Sequence, residues 1–146
     1  MKTLLFKTEF IFFLLLMIIT SCNREEENIN SEIFQTWKFV SFGNSDGTLS
    51  IAQPEDCSDC YIMIFNKEDS IMTGTSVINK LGGKFILKDN QLSFPWGVLA
   101  TEVLEEGDPL SFTEALLNVR SFSIEESNLK LFYTENKFLL CYPINN

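Results

Sequence analysis

Apolar and polar positions divide the 146-residue chain into one unbroken hydrophobic block and a series of short runs behind it. The block extends from Phe10 to Ile19, after Lys2, Lys7 and Glu9, and ends at Thr20-Ser21-Cys22. Further on, Thr36-Trp37-Lys38-Phe39-Val40-Ser41-Phe42 alternates with the period of a half-buried strand. Gly43-Asn44-Ser45-Asp46-Gly47 breaks that run. Tyr61-Ile62-Met63-Ile64-Phe65 is continuously apolar, which predicts a strand covered on both faces. Asn66–Ser70 then turns into Ile71–Ile78. Gly82-Gly83 precedes Phe85-Ile86-Leu87, and Asp89-Asn90 joins this run to Leu92-Ser93-Phe94 as a hairpin. The favoured Asn-Gly pair is missing, so its turn type stays open.

Toward the end of the chain, Phe122 and Ile124 alternate with serines, Leu129, Leu131 and Tyr133 alternate with other residues, and Phe138–Tyr142 is a last apolar run. Ser127-Asn128 and Glu135-Asn136 are the expected turns. One segment has a helical period instead. Phe112, Ala115, Leu116 and Val119 fall at i, i+3, i+4 and i+7, and Ser111-Phe112-Thr113-Glu114 has the spacing of a capping box. A helix is predicted from Ser111 to Asn118, with Pro109 just ahead of it and its apolar face against the sheet. The fold class is mainly β (α+β): an antiparallel meander of about eight short strands curled into a barrel or half-barrel, with one packed helix.

The opening block is too short for a membrane span, which takes about 20 consecutive apolar residues. With two lysines before it and small residues before a cysteine, it has the form of a secretory signal. It resembles a bacterial lipobox, in which Cys22 is acylated and becomes the new N-terminus. The expected organisation is a lipoprotein signal peptide over 1–21, a lipidated tether over 22–32 and a β-rich domain over 33–146. The chain would then be an outer-membrane lipoprotein of the cell envelope, on the periplasmic or the cell-surface face. Arg24, Glu25, Glu26 and Glu27 resemble the acidic export signal of surface-exposed lipoproteins in Bacteroidetes; a plain solvated tether is the alternative.

Cleavage changes the charge. Removal of Lys2, Lys7 and Glu9 from the 11 basic and 20 acidic residues leaves 9 against 19, a net charge of −10. Such a domain repels nucleic acid and anionic headgroups, so the expected membrane contact is the lipid on Cys22 and not a basic patch. Fourteen phenylalanines argue for an aromatic-rich core and against disorder.

The order of landmarks resembles the META domain family, which includes the HslJ-like lipoproteins. The residues that carry it are Trp37 with Val40-Ser41, then Phe65, Gly74, Asn79 and Gly83-Lys84-Phe85, then Leu92-Ser93-Phe94 and Thr101. The strongest stretch is Phe112, Ala115-Leu116, Val119, Ser121-Phe122 and Ile124, followed by Leu129 and Leu131. The chain departs from the family at Val77-Ile78-Asn79, where relatives have Gly-Cys-Asn, and at Glu102-Val103-Leu104, where many have a second cysteine. Roles tied to those cysteines do not carry over. The resemblance implies a small β-rich domain with a packed helix and no established catalytic site.

Candidate chemistry is sparse. The chain contains no histidine, which excludes Ser-His-Asp and Cys-His catalysis and removes the commonest metal ligand. Cys57-Ser58-Asp59-Cys60 has the spacing of a redox pair, but a strand-like run follows it, and Glu55, Asp56 and Asp59 would raise a thiol pKa. A zinc site lacks ligands, with only Cys141 to spare. An oxidising compartment favours a Cys57–Cys60 disulfide that staples the loop, with Cys141 a buried thiol. Glu105-Glu106-Gly107-Asp108 could bind calcium or serve as paired acids; an acidic turn at the positive end of the helix dipole explains it with less. Asn44-Ser45-Asp46-Gly47 lacks the rest of an EF-hand and is expected to be a turn. Trp37 and Trp96 could form a sugar-stacking platform, but Trp37 is expected in the core and Trp96 near a rim. No catalytic residue, metal or cofactor is expected. The sequence points to a non-enzymatic, lipid-anchored binding module for a protein or envelope component, the alternative being a lipocalin-like carrier of a small apolar ligand.

Overall fold

Strand β1 (Thr36–Asn44) organises the sheet, because its two halves take different partners. A bulge lies between Phe39 and Ser41, where the register against the last strand slips by one residue. Trp37 and Phe39 therefore point into the core before the bulge and Phe42 after it, while Ser41 and Gly43 take the opposite face. The computed structural model describes residues 31–144. Cys22, the signal segment and Arg24, Glu25, Glu26 and Glu27 lie outside the described residues.

The remaining elements are β2 (Leu49–Ile51), β3 (Ile62–Asn66), β4 (Ile71–Thr75), β5 (Lys80–Lys84), β6 (Ile86–Lys88), β7 (Gln91–Ser93), β8 (Leu99–Ala100), α1 (Asp108–Leu117), β9 (Ser121–Glu125), β10 (Asn128–Phe132) and β11 (Lys137–Pro143). Two antiparallel meanders, β3-β4-β5 and β9-β10-β11, flank β1 in the order β6-β7-β9-β10-β11-β1-β3-β4-β5-β8. β2 pairs with β1 beyond the bulge. β5 and β6 lie toward opposite ends of this path, yet Phe85 alone separates them in sequence. The sheet must curl to satisfy both facts, and it forms a mainly β half-barrel onto which α1 packs.

The helix closes one mouth of the half-barrel. Phe112 stacks on Phe39 with ring centroids 4.8 Å apart and meets Tyr61 edge-on at 5.2 Å. Ala115, Leu116 and Val119 complete the predicted apolar face, and all are buried. Its start differs from the expected one. The helix begins at Asp108, with Gly107 as N-cap at φ 70° and Pro109 inside the first turn. The Ser111 hydroxyl donates to the Gly107 carbonyl, as a residue already inside the helix does, so there is no capping box. A glycine that leads into Asp-Pro starts the helix here without a side-chain cap, because proline is pre-set for the first turn.

Three further expectations are corrected. Among the described residues there are eleven strands and not about eight; β2 and β8, for instance, are too short to show a period. The apolar run ending at Phe65 is not covered on both faces: Met63 and Phe65 are buried, while Ile64 is 44% exposed. The β9–β10 turn is Glu126-Ser127, one residue earlier than expected. Both residues adopt left-handed φ, 51° and 66°, as a two-residue hairpin of this twist requires. The Asp89-Asn90 hairpin is present, with Asp89 at φ 54°.

Two glycines on the central meander differ in what surrounds them. A Cβ on Gly74 would lie 2.1 Å from the Ile62 carbonyl oxygen, whereas one on Gly82 would approach nothing closer than 4.0 Å. Gly74→Ala is expected to cost about 3 kcal/mol, and Gly82→Ala to stay within about 0.5 kcal/mol of the parent. Urea unfolding of the two variants checks this contrast; equal midpoints would contradict the close approach at Gly74.

Candidate functional site

The polar interior of the domain is concentrated where the β4–β5 turn meets the segment leading into α1. Ser76 and Asn79 are buried in that turn. The Glu105 carboxylate reaches into it and accepts from the Ser76 hydroxyl at 2.7 and 2.8 Å, the Ile78 amide at 2.7 Å and the Asn79 side-chain amide at 2.8 Å. The Val77 amide adds a bond at 3.2 Å. Asn79 uses every donor and acceptor of its side chain. Its Nδ2 donates to the Val103 carbonyl and to Glu105, and its Oδ1 accepts from the Thr101 hydroxyl at 2.8 Å and the Val103 amide at 3.1 Å.

Burial pushes the Glu105 pKa up, but the hydrogen bonds from Ser76, Ile78 and Asn79 outweigh it, and the carboxyl is held below its usual range. Asp108, the other acid considered for calcium or acid–base work, accepts from the Gln53 amide at 2.8 Å. The acidic turn is thus turned inward on protein donors: Glu105 fastens the segment before α1, and Asp108 fastens the Gln53 loop to the start of the helix. Tyr61 joins the same neighbourhood, its hydroxyl donating to the Gln53 carbonyl. Burial, with Asp108 and Glu105 nearby, pushes the Tyr61 pKa up to about 12.

The cysteines are arranged as expected. Cys57 and Cys60 form a disulfide, and Cys141 is a buried free thiol in β11 whose pKa burial raises. The Lys38 ammonium donates to the Cys57 carbonyl and, at 2.6 Å, to that of Cys60, so the stapled loop folds over one cation. Burial pulls the Lys38 pKa down, opposed by Asp59. Trp37 is fully buried and donates to the Ile33 carbonyl at 2.9 Å, whereas Trp96 is 66% exposed. The two do not form a platform. Asn44-Ser45-Asp46-Gly47 is a turn, in which Asp46 accepts from the Thr48 amide at 2.9 Å and Ser45 donates its amide to the Asn136 carbonyl at 2.8 Å. Among the described residues, no cluster of three or more acids or cysteines is spaced to hold a metal ion.

A surface groove of about 650 Å³ lies between α1 and the far ends of β1, β2 and the β10–β11 turn. Phe42 and Ala115 supply apolar wall; Glu114, Asn118, Arg120 and Tyr133 supply polar and charged groups. A smaller recess of about 200 Å³ shares Phe42, Ser50 and Tyr133 with it and continues past Gly43 toward Lys137. Reading the sequence did not single out this groove. Phe42, Arg120 and Tyr133 are far apart along the chain, and only the β1 bulge brings Phe42 to the inner side, where it meets the helix.

Comparison with known proteins places the fold and no more. No family model matches the chain, and no curated protein matches its sequence. Among solved structures, a protein from Burkholderia xenovorans is similar with a TM-score of 0.62 and 16% identity over 77% of this chain and 83% of its own. A DUF4847-family protein from Bacteroides vulgatus ATCC 8482 is similar with a TM-score of 0.56 and 15% identity, over 78% of this chain and 95% of its own. At these identities the likeness is one of fold.

The depressed Glu105 pKa has a defined consequence for stability. A carboxyl whose pKa is lower in the folded state stabilises the fold above its unfolded pKa, about 4.3, and that contribution is lost as pH falls through the folded value. Glu105→Gln is expected to cost about 2 kcal/mol near neutral pH, and the deficit should shrink below about pH 4. Urea midpoints of parent and variant across that range measure it; a deficit independent of pH would contradict the role given to the carboxylate charge.

Proposed function

We propose that the chain is a non-enzymatic, lipid-anchored protein of the bacterial outer membrane whose folded domain binds a protein or envelope component through the groove beside α1. The carrying observation is where the domain keeps its open space. Phe39, Tyr61 and Phe112 pack on one another at 4.8 to 5.3 Å, the recess beside Phe39 and Tyr61 is only about 280 Å³, and the larger groove of about 650 Å³ opens at the surface. This favours an interaction surface over a lipocalin-like carrier. The absence of histidine and the commitment of Glu105 and Asp108 to protein donors support a role without catalysis.

The anchor is the lipid on Cys22, following cleavage after Ser21, and residues 22–32 are its tether. Arg24, Glu25, Glu26 and Glu27 would direct the protein to the cell-surface face. The order of Trp37, Asn79, Thr101 and the helix landmarks supports grouping the chain with META domain and HslJ-like lipoproteins. Asn79 and Thr101 bond to each other directly, as residues of one structural unit would. The tether joins the domain just before β1, whereas Phe42 lies five residues beyond Trp37, roughly 16 Å along the strand. The groove is thus carried at the end of the domain away from the anchor.

A photo-crosslinking residue at Asn118, on the groove, is expected to capture a discrete protein or envelope partner on intact cells, and one at Glu126, in the β9–β10 turn, is not. Arg120→Glu should weaken capture at least about tenfold, the equivalent of about 1.4 kcal/mol. Equal capture from both positions, or recovery of lipid alone, would sink the groove as the binding site.

A further inference from the structure

β3, β4, β5 and β8 turn one face away from the core, and on a strongly acidic chain that face carries exposed Ile64, Ile71 and Leu99 among threonines, Asn66 and lysines, with no acid. Their register brings Ile64, Thr73, Gly82 and Leu99 into one cross-strand row and sets Ile71 beside Lys84 in the next. Leu99 is 77% exposed and Ile64 44%. No acid points outward from these strands, and the charges on them are those of Lys80 and Lys84. Trp96 extends the face, with the Lys84 ammonium 5.7 Å from its ring centroid. Acids stand at its margins: Glu68 and Asp69 beside Lys67 in the β3–β4 turn, and Glu102 beyond β8.

The tether leaves the domain at the same end. The Phe34 ring lies 6.4 Å from that of Phe85, which directly follows Lys84, and the Lys67 ammonium lies 5.7 Å from the Phe34 ring. From Ser31 back to Cys22 there are nine intervening or terminal residues, 22–30, which span at most about 30 Å when extended. A lipid on Cys22 would therefore keep this face within reach of the bilayer at high effective concentration.

We infer that the outer face of β3, β4, β5 and β8, with Trp96 at its rim, lies on the lipid surface in which Cys22 is anchored. The inference rests on the Cys22 anchor proposed above. Tryptophan is the side chain best suited to the headgroup boundary, with an apolar body and one polar edge. The acid-free outer strands spare the domain the repulsion its overall charge would bring. A second copy of the chain is a poorer occupant, since β8 has two residues and is too short for a strand-to-strand seam.

The two tryptophans are built-in reporters, because Trp37 is fully buried and Trp96 exposed. Full-length protein purified with its lipid is reconstituted into phosphatidylethanolamine–phosphatidylglycerol vesicles with brominated acyl chains. The expected result is a blue shift and quenching of the Trp96 emission, absent in Trp96→Phe. The double variant Ile64→Asp with Leu99→Asp should return Trp96 to solvent-like emission, while the buried Trp37 signal reports an intact fold. The mass of the N-terminal peptide records acylation separately. An acylated Cys22 with Trp96 unquenched and open to iodide overturns the docking and leaves the anchor standing. A Trp96 shielded from iodide but insensitive to bromine, in a protein that dimerises with concentration, overturns it in favour of a second copy. An unmodified Cys22 overturns the anchor and, with it, the docking.

Discussion

The side chain of Asn79 holds together parts of the domain that no strand pairing joins. The segment from Thr101 to Gly107 has no regular structure, yet it must deliver α1 to the mouth of the half-barrel. Asn79 grips that segment at Thr101, Val103 and Glu105 at once, and Glu105 returns its carboxylate to the turn that carries Asn79. A buried amide with all four valences used is worth its desolvation, whereas a half-satisfied one is not. Removal of either partner would therefore release more than one bond. From this node the order passes to Gly107, to Asp108 and its bond with the Gln53 amide, and to Phe112 against Phe39 and Tyr61.

Tyr61 bears the strain of this arrangement. It adopts φ 59°, a left-handed conformation that costs a bulky residue about 1–3 kcal/mol. Its amide donates to the Ser76 carbonyl, its carbonyl accepts from the Phe39 amide, and its hydroxyl reaches Gln53. These bonds over-determine the conformation and close the mouth where a carrier would admit its ligand. A recess of about 280 Å³ remains beside Phe39 and Tyr61, and the larger open space is the groove beside α1. Seen along β1, the domain presents two different ends: the acid-free outer strands toward Thr36 at one, the groove at the other.

Much of the fold was legible because its signals are local. The helical face of Phe112, Ala115, Leu116 and Val119, the alternation through Trp37 and Phe39, and the Asp89-Asn90 hairpin each depend on neighbours a few residues away. The Cys57–Cys60 pairing was legible from the short spacing of the two cysteines in a loop ahead of a strand-like run. The bulge after Phe39 was not legible, because register slips are set by the partner strand and leave no mark in the period. Nor was the helix start, where Ser111 has the spacing of a cap but Pro109 starts the first turn earlier, behind Gly107. The Glu105 site was half visible: the acids stood out and Asn79 was a landmark, but 26 residues separate the two, and nothing in either stretch announces the other. Arg120, Phe42 and Tyr133 carry no pattern at all until the sheet curls.

Native-state amide exchange in Asn79→Ala tests the central role of this node most directly. If Asn79 delivers the helix to the sheet, the Val103 and Ile78 amides and those in the body of α1, such as Leu116, should exchange faster, by an opening that leaves β9, β10 and β11 protected. A folded variant whose α1 amides exchange at the parental rate, with only Val103 affected, would contradict it.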